Sequence, residues 1–317
     1  MINVKGLVPR QEVFDTYWYF AYERLMVMYR RMEGEKKLTV DPILSRYKFC
    51  NTFRVCDRVT QYLVRHVQYS HEWSADDLLL RTVLFRLFSW PKTWEAIGGE
   101  KLGMATYKAD KIESVLEALM VEGQKLYTSA FILSGMDAYG QGRKYRNHLR
   151  LVEQMVFEDK LADKITAAKS MKEVYELLIQ YPMIGKFMAY QLAVDINYST
   201  LTNFSESSFV IAGPGAERGI KKCFDATGNN APEDVIMYMV DSQDEQFRRL
   251  GLVFPGLYGR KLHAIDCQGL FCETDKYSRV RFPELASNRV RIKTKYTPSG
   301  SMPELFFPPK WDVLYKT

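Results

Sequence analysis

Apolar side chains recur along this chain at steps of three and four residues, the spacing that lines one face of an α-helix. In the clearest run, Phe14, Trp18, Leu25 and Tyr29 predict an amphipathic helix over residues 11–33. The sequence has neither paired stretches of alternating apolar and polar residues, which a half-buried sheet needs, nor a βαβ rhythm. The periodicity therefore predicts an all-α fold, a helical bundle.

Further helices are predicted by the same spacing and by start signals such as capping residues and prolines. They begin near Asn51, Asp76, Pro91, Ile112, Leu149, Ser170, Pro182, Ile220, Pro232 and Gly259. With 317 residues, 47% of them hydrophobic, the chain can bury a large core, and we expect one helical catalytic domain over residues 1–282. Prolines and basic residues predict an extended C-terminal arm over 283–317, which is either a strap over the core or a DNA contact.

Cysteine, histidine and hydropathy patterns narrow the class of protein. The five cysteines form no C-x-x-C pair and the four histidines are scattered, which predicts no metal site and free thiols in a reducing cytosol. Neither a signal-peptide core nor a membrane-spanning apolar run is present, so we expect a cytoplasmic protein with no membrane partner. The net charge of +6 and the 20 tyrosines are compatible with nucleic acid, although such rings more often fill a core.

The segment from Tyr181 to Ala189 lies between two predicted helices. It resembles the hairpin of helix-hairpin-helix DNA glycosylases, in which backbone N–H groups at a helix start bind a DNA phosphate. Gly185 and Lys186 fit that pattern, whereas Met183 replaces its first glycine. The segment therefore predicts either a DNA-binding hairpin or an ordinary helix-turn-helix joint.

A glycine-rich stretch, Gly213-Pro214-Gly215, follows an apolar segment and precedes a predicted helix. Glycines let the backbone approach an anion, and the helix start supplies N–H donors. The spacing is not that of a P-loop. The stretch predicts a phosphate-binding turn, with a plain turn as the alternative.

Two carboxylates, Glu273 and Asp275, stand beside Lys276, Tyr277 and Arg279 at the end of the last predicted helix. Acids and bases clustered in this way can form a general base next to an anion clamp. The alternative is a solvated helix end with salt bridges.

A basic face is predicted near the start of the second helix. Asn51, Arg54 and Arg58 recur at steps of three and four residues, so on a helix starting there they share one side. Arg86 could extend this face, and aromatic residues such as Phe53 are interleaved with it. Such a surface suits phosphate binding and base stacking.

In this order and spacing, the four segments resemble the helical family of alpha-glutamyl/putrescinyl thymine pyrophosphorylases, better described as amino acid:DNA transferases. The most specific marks are Asn51-x-Phe53-Arg54, Gly213-Pro214-Gly215-Ala216 and Cys272-Glu273-x-Asp275-Lys276-Tyr277. A related helical domain accompanies the phage kinase that phosphorylates 5-hydroxymethyluracil in DNA. The lack of a P-loop argues against this chain being the kinase itself.

The resemblance implies a fold distantly related to DNA glycosylases. It also implies a double-stranded DNA substrate in which a thymine methyl group carries pyrophosphate. The amine of a free amino acid displaces this pyrophosphate, which requires no organic cofactor, while a divalent cation could assist. Enclosing the methyl group usually means flipping the base out of the duplex.

Residue roles follow from that chemistry. Glu273 is predicted to accept the proton of the amine, and Asp275 to orient Lys276 or the substrate ammonium. Tyr277 or Phe53 would hold the flipped base. The groups expected to bind the pyrophosphate or the amino-acid carboxylate are Asn51, Arg54, Arg58, Arg86, Gly213, Gly215, Lys276 and Arg279. If Glu273 is not the base, Asp195 or Glu206 takes that role.

Two other functions stay open at the level of sequence. A helix-hairpin-helix glycosylase or lyase would act on the sugar carbon through Lys186 or a carboxylate near residues 195–206. A non-enzymatic DNA-binding module would bind in a salt-dependent way and form no product.

Overall fold

The computed structural model describes residues 4–128, 137–285, 289–292, 294–297 and 304–313. Within these ranges the regular structure is almost entirely helical, with thirteen α-helices. One short antiparallel sheet pairs β1 (Val8–Pro9) with β2 (Phe224–Ala226). The chain is therefore mostly helical, as the periodicity of its apolar residues predicts.

The helices follow one another along the whole described chain. In order they are α1 (Gln11–Met32), α2 (Pro42–Arg46), α3 (Arg58–Tyr62), α4 (Ala75–Phe88), α5 (Pro91–Ala96), α6 (Ala109–Val121), α7 (Lys144–Val152), α8 (Leu161–Ala167), α9 (Met171–Leu178), α10 (Lys186–Tyr198), α11 (Pro214–Cys223), α12 (Pro232–Arg249) and α13 (Ala264–Arg281). α3 continues into a π-helical segment, Leu63–Gln68, and α7 into another, Glu153–Glu158. Among the described residues, no helix is both long enough and apolar enough to cross a membrane.

The described residues of Met1–Asp57, Phe209–Leu305 and Val313–Thr317 form one compact unit, here called unit 1. Its centre is α13, which packs against α1, α11 and α12. A Cβ atom built on Gly219 would lie 2.1 Å from the carbonyl oxygen of Phe271, so only glycine lets α11 approach α13 this closely. This contact fixes where the side chains of α13 point.

The described residues of Arg58–Ser208 and Phe306–Asp312 form the second compact unit, unit 2. Its central helix, α4, is buried from Leu78 to Phe88. Ser74 caps this helix by accepting a hydrogen bond from the N–H of Asp77. Each unit takes chain from both sides of residue 282. The division into a domain over 1–282 and an arm over 283–317 stays a prediction.

The helix predicted near Asn51 begins only at Arg58, so this prediction is wrong. The Asn51 side chain donates a hydrogen bond to the Cys56 carbonyl, and the Asn51 N–H donates to the Asp57 carboxylate, at 2.6 and 2.8 Å. These bonds close a turn that contains a short 3-10 helix, Arg54–Cys56. Asn51 and Arg54 therefore do not share a helical face with Arg58.

The described part of the C-terminal arm makes several backbone contacts. The N–H of Lys48 donates to the Thr294 carbonyl at 3.0 Å in unit 1. In unit 2, the Lys310 ammonium donates to the Asn197 and Ser199 carbonyls at the end of α10, at 2.5 and 2.6 Å. The described part of the arm is therefore hydrogen-bonded to other segments of the same unit, and both interpretations, a strap or a DNA contact, stay predictions.

Candidate active site

One edge of α13 remains partly exposed although the helix is otherwise buried through most of its length. Gly269, Cys272, Lys276 and Arg279 lie on this edge at steps of three and four residues. A Cβ atom built on Gly269 would meet nothing within 4 Å. We call these four residues the open stripe, because each of them is partly exposed.

Glu273 lies next to the open stripe and is held by two donors. Its Oε2 atom accepts hydrogen bonds from the backbone N–H of Cys50 at 2.9 Å and from Lys276 Nζ at 3.0 Å. Its side chain is 12% exposed. The structure therefore brings the segment around Asn51 and the acidic end of α13 together, as two of the sequence motifs require.

Asp57 adds a second carboxyl group to this region. Its Oδ1 atom accepts hydrogen bonds from the backbone N–H and, at 3.3 Å, the side-chain amide of Asn51. Burial raises the pKa of Asp57 to about 6; the hydrogen bond from Asn51 opposes this shift, and the nearby charge of Glu273 adds to it. Asp57 can therefore exchange a proton close to neutral pH.

Asp266 joins the start of α13 to the turn before α3. Its two oxygens accept hydrogen bonds from the backbone N–H groups of Arg54, at 2.9 Å, and His263, at 3.1 Å. Burial raises the pKa of Asp266 to about 6, although these two hydrogen bonds lower it. Asp266 thus positions Arg54 through its backbone.

Positive charge surrounds the two carboxyl groups of Asp57 and Glu273. Arg24 of α1 is half-buried, and burial lowers the pKa of its guanidinium. The nearby charges of Asp57 and Glu273 offset only part of this shift. Lys276 Nζ lies 4.5 Å from the centre of the Phe49 ring. Carboxyl groups and cations therefore share one place in unit 1, at the partly exposed edge of α13.

Asp275 has a different environment from the one the sequence suggested. Its fully buried carboxylate contacts Arg279 at 2.6 Å, Lys222 at 3.1 Å and Arg218 at 3.3 Å. Burial alone would raise the pKa of Asp275, but the hydrogen bonds from Arg279 and Lys222 lower it. Asp275 ties α11 to α13, and Lys276 contacts Glu273 instead.

The rings expected to hold a flipped base lie in the core. Tyr277 is 4% exposed, and its hydroxyl donates to the Asp41 carboxylate at 2.6 Å. Burial and the hydrogen bond to Asp41 raise the pKa of Tyr277. Phe53 is 2% exposed. In this conformation neither ring offers a face to a base, so that expectation is corrected.

The glycine-rich stretch lies beside the open stripe. Gly213 precedes the first turn of α11, and a Cβ atom built on Gly215 would lie 2.7 Å from Cys272 Sγ. Gly215 is thus needed for helix packing, a reason that the sequence does not reveal. The first turn of α11 therefore packs against Cys272, the residue before Glu273.

The predicted basic face does not form. Arg86 is fully buried, and its Nε and Nη2 atoms contact the Asp195 carboxylate at 2.6 and 2.8 Å. An arginine in this position cannot reach a phosphate, and Asp195 cannot reach a substrate. Arg58 is exposed at the start of α3 in unit 2, whereas Arg54 is 9% exposed in unit 1.

The segment between α9 and α10 leaves a helix start open to solvent. Met183 has φ of +67°, the left-handed conformation that the replaced glycine of a hairpin would favour. Gly185 and Lys186 are exposed, and a Cβ atom on Gly185 would meet nothing within 4 Å. The helix-hairpin-helix assignment remains a prediction with compatible geometry.

Residues 11–287 match the family described as "5-hmdU DNA kinase, helical domain". The chain belongs to this family. A 5-hmdU DNA kinase of Bacillus phage SP10 is 28% identical to it over 288 residues, 84% of this chain and 45% of that protein. The chain thus spans less than half of that kinase. No solved structure matches it. The relation to this helical domain, inferred from the motifs, is confirmed.

The region matched to the kinase helical-domain family contains site residues that sequence reasoning missed. Arg24 follows Glu23 in α1, most of whose residues are apolar. A charged residue in such a helix is the sequence signal from which a site role for Arg24 could have been predicted. Asp57 lies three residues after the Asn51-x-Phe53-Arg54 motif and Asp266 six residues before Cys272, and local spacing indicates a role for neither. Lys222 and Arg218 gave no distinctive signal, because their contacts to Asp275 span more than 50 residues.

Across the part of the family match that the structure describes, no group of three or more His, Cys, Asp or Glu side chains is placed to hold a metal ion.

Proposed function

We propose that this chain is a transferase that modifies thymine in double-stranded DNA. It attaches a free amino acid, through its amine, to the pyrophosphorylated 5-hydroxymethyl group of uracil and releases pyrophosphate. The observation that carries the proposal is the cluster of Asp57, Glu273, Arg24 and Lys276 at the partly exposed edge of α13, in a family named for a 5-hmdU DNA kinase domain.

The reaction balances with these groups. The amine nitrogen forms a bond to the methylene carbon, the bond from that carbon to the pyrophosphate oxygen breaks, and the amine loses a proton. Glu273 accepts this proton, and the nearby Asp57, whose pKa is about 6, exchanges it with solvent. Lys276 and Arg24 stabilise the negative charge of the leaving pyrophosphate.

Other predicted residues keep roles that fit their positions. Backbone N–H groups at the start of α11, next to Gly213 and Gly215, are proposed to bind pyrophosphate. Asn51 shapes the turn that carries Asp57. Gly185 and Lys186 are proposed to bind a DNA phosphate. Arg279 acts by holding Asp275.

The direct test is mass spectrometry of nucleosides. DNA carrying pyrophosphorylated 5-hydroxymethyluracil is incubated with the protein and a mixture of amino acids, and pyrophosphate is measured in parallel. We expect a nucleoside whose mass contains one amino acid, with one pyrophosphate released per adduct. Parallel reactions with chelator and with added magnesium test a divalent cation. If DNA binds and neither an adduct nor pyrophosphate appears, the proposal fails.

A second candidate is a module that presents 5-hydroxymethyluracil to a kinase. It is favoured by the name of the phage SP10 protein, of which this chain matches 45%. It predicts tight binding to DNA containing 5-hydroxymethyluracil and no adduct in the amino-acid assay.

Base excision has less support, because Asp195 is paired with Arg86 and Glu206 is buried. Strand nicks or free base in the same reactions would favour it.

A further inference from the structure

Unit 2 contains a cavity of about 690 Å³, a size that accommodates a ligand as large as a nucleotide. Its aromatic lining residues are Tyr62, His66, Tyr69, His71, Trp94 and Phe306. All six belong to unit 2. None of them has a part in the site of unit 1.

The π-helical segment Leu63–Gln68 builds one wall of this cavity. Such segments are rare and often occur at functional sites. It carries Arg65 and His66 into the lining, with Tyr62 before it and Tyr69 after it. The hydroxyl of Tyr69 donates to the Tyr198 carbonyl at 2.8 Å, so this ring is fixed in place. The wall is therefore formed before any ligand binds.

Buried hydrogen bonds hold the surroundings of the cavity rigid. Arg81 is fully buried and donates to the carbonyls of Val67 and Leu102, at 2.8 and 2.6 Å. Phe306 exchanges two backbone hydrogen bonds with the Gln61 amide, at 2.8 and 3.0 Å. Its ring centre lies 5.8 Å from that of Tyr69. Ordered rings lose little conformational entropy when a flat ligand stacks on them.

The charges around the cavity balance one another. Arg65 and Lys101 are matched by Glu95 and Glu100. Burial, followed by the neighbouring charge of Arg65, lowers the pKa of His66, so its ring is neutral at physiological pH. A lining of rings, with donors and acceptors but no excess charge, favours a flat, uncharged, hydrogen-bonding ligand over a phosphate group.

We propose that this cavity binds an unpaired nucleobase of DNA, which stacks on the rings of His66, Tyr69 and Phe306. The inference rests on DNA being a ligand, as in the proposed function. It adds a base-binding site in unit 2 to the chemistry assigned to unit 1.

The test compares the affinity of the full chain for two duplexes, one with a single bulged thymine and one with an abasic bulge. Both have the same phosphates, so any difference measures contacts to the base. Stacking on aromatic side chains predicts roughly tenfold tighter binding to the thymine bulge. His66→Ala and Phe306→Ala should each reduce this preference, and His66→Phe, which keeps a ring, should retain it. Glu176→Ala, on the exposed surface of α9, is the matched control.

Equal affinity of the wild-type protein for the two duplexes would overturn the inference. So would a full thymine preference in both alanine variants, with circular dichroism confirming that they are folded. The binding assay contains unmodified DNA and no amino acid. A missing transfer activity with an intact thymine preference therefore rejects only the proposed function, and the reverse pattern rejects only this inference.

Discussion

At the scale of single residues, the candidate site is defined by carboxyl groups in unequal environments. Asp275 is surrounded by cations and its pKa is lowered, whereas burial raises the pKa of Asp57. Glu273 lies near Asp57 and is held by Lys276 and the Cys50 N–H. Groups with separated pKa values commonly divide structural and proton-transfer roles. Asp275 is therefore a structural residue that ties α11 to α13, and the proton-transfer roles of Glu273 and Asp57 remain part of the proposed function.

Glu273→Gln should bind DNA normally but transfer amino acid about 100-fold more slowly, because the amide keeps the shape of the side chain and loses its basicity. Raising the pH should restore part of the rate, since more of the amine is then unprotonated. Initial rates of adduct formation at several pH values measure both effects. Glu284→Gln, in an exposed position, is the control. A near-normal rate for Glu273→Gln at neutral pH would remove Glu273 as the base.

The raised pKa of Asp57 also makes stability depend on pH. The ordinary pKa of an aspartate is 3.8, and that of Asp57 in the folded chain is about 6. Between these two pH values, the folded chain binds the Asp57 proton more tightly than the unfolded chain does. The free energy of unfolding therefore decreases as the pH rises through this window. Asp57→Asn cannot ionise and keeps an oxygen for the Asn51 N–H. Its Tm, relative to wild type, should thus increase between about pH 4 and pH 7.

Thermal unfolding at these pH values tests this effect. Asp110→Asn, on the exposed side of α6, is the control: its Tm should differ from that of wild type by the same amount at both pH values. If the Asp57→Asn difference is also constant, the carboxyl group of Asp57 is not protonated more readily in the folded chain.

At the scale of elements, the contact between α11 and α13 positions the site. Gly215 and Gly219 face α13 so closely that side chains there would overlap Cys272 and Phe271. The sequence suggested a phosphate-binding turn for Gly215, because glycine spacing is the same whether a ligand or another helix approaches. The identity of the approaching group depends on a partner more than 50 residues away, which local patterns cannot specify.

Gly219→Ala should destabilise the chain, since its Cβ atom would lie 2.1 Å from the Phe271 carbonyl oxygen. Overpacking of this kind typically costs about 1–3 kcal/mol, which lowers Tm by several degrees. Gly269→Ala is the matched control, also within a helix but facing open space. It should leave Tm unchanged or raise it, because alanine favours helices over glycine. Equal Tm values for the two variants would contradict the packing role of Gly219.

At the scale of the whole molecule, local periodicity predicted most of the helices but not their assembly. Capping residues and apolar spacing placed α1, α4 and α9 within a few residues. The motif order indicated that the segment at Asn51 and the end of α13 act together, and the Cys50–Glu273 hydrogen bond joins them. The two units were not predicted, because each combines segments distant in sequence. The pairing of Arg86 with Asp195, 109 residues apart, was missed for the same reason.

The exposed start of α10 provides a prediction about DNA binding by the whole chain. A lysine beside a helix start neutralises a phosphate, and each neutralised phosphate releases counterions whatever the base sequence. Lys186→Ala should therefore weaken binding to all duplexes equally and reduce the slope of log affinity against log salt by about one. Titrations at several salt concentrations measure this slope. Lys172→Ala, whose ammonium is exposed on α9 and lies 3.7 Å from Glu176, is the control for lost surface charge. If both variants lower the slope equally, the α10 start is not a specific phosphate site, and the hairpin is a structural joint.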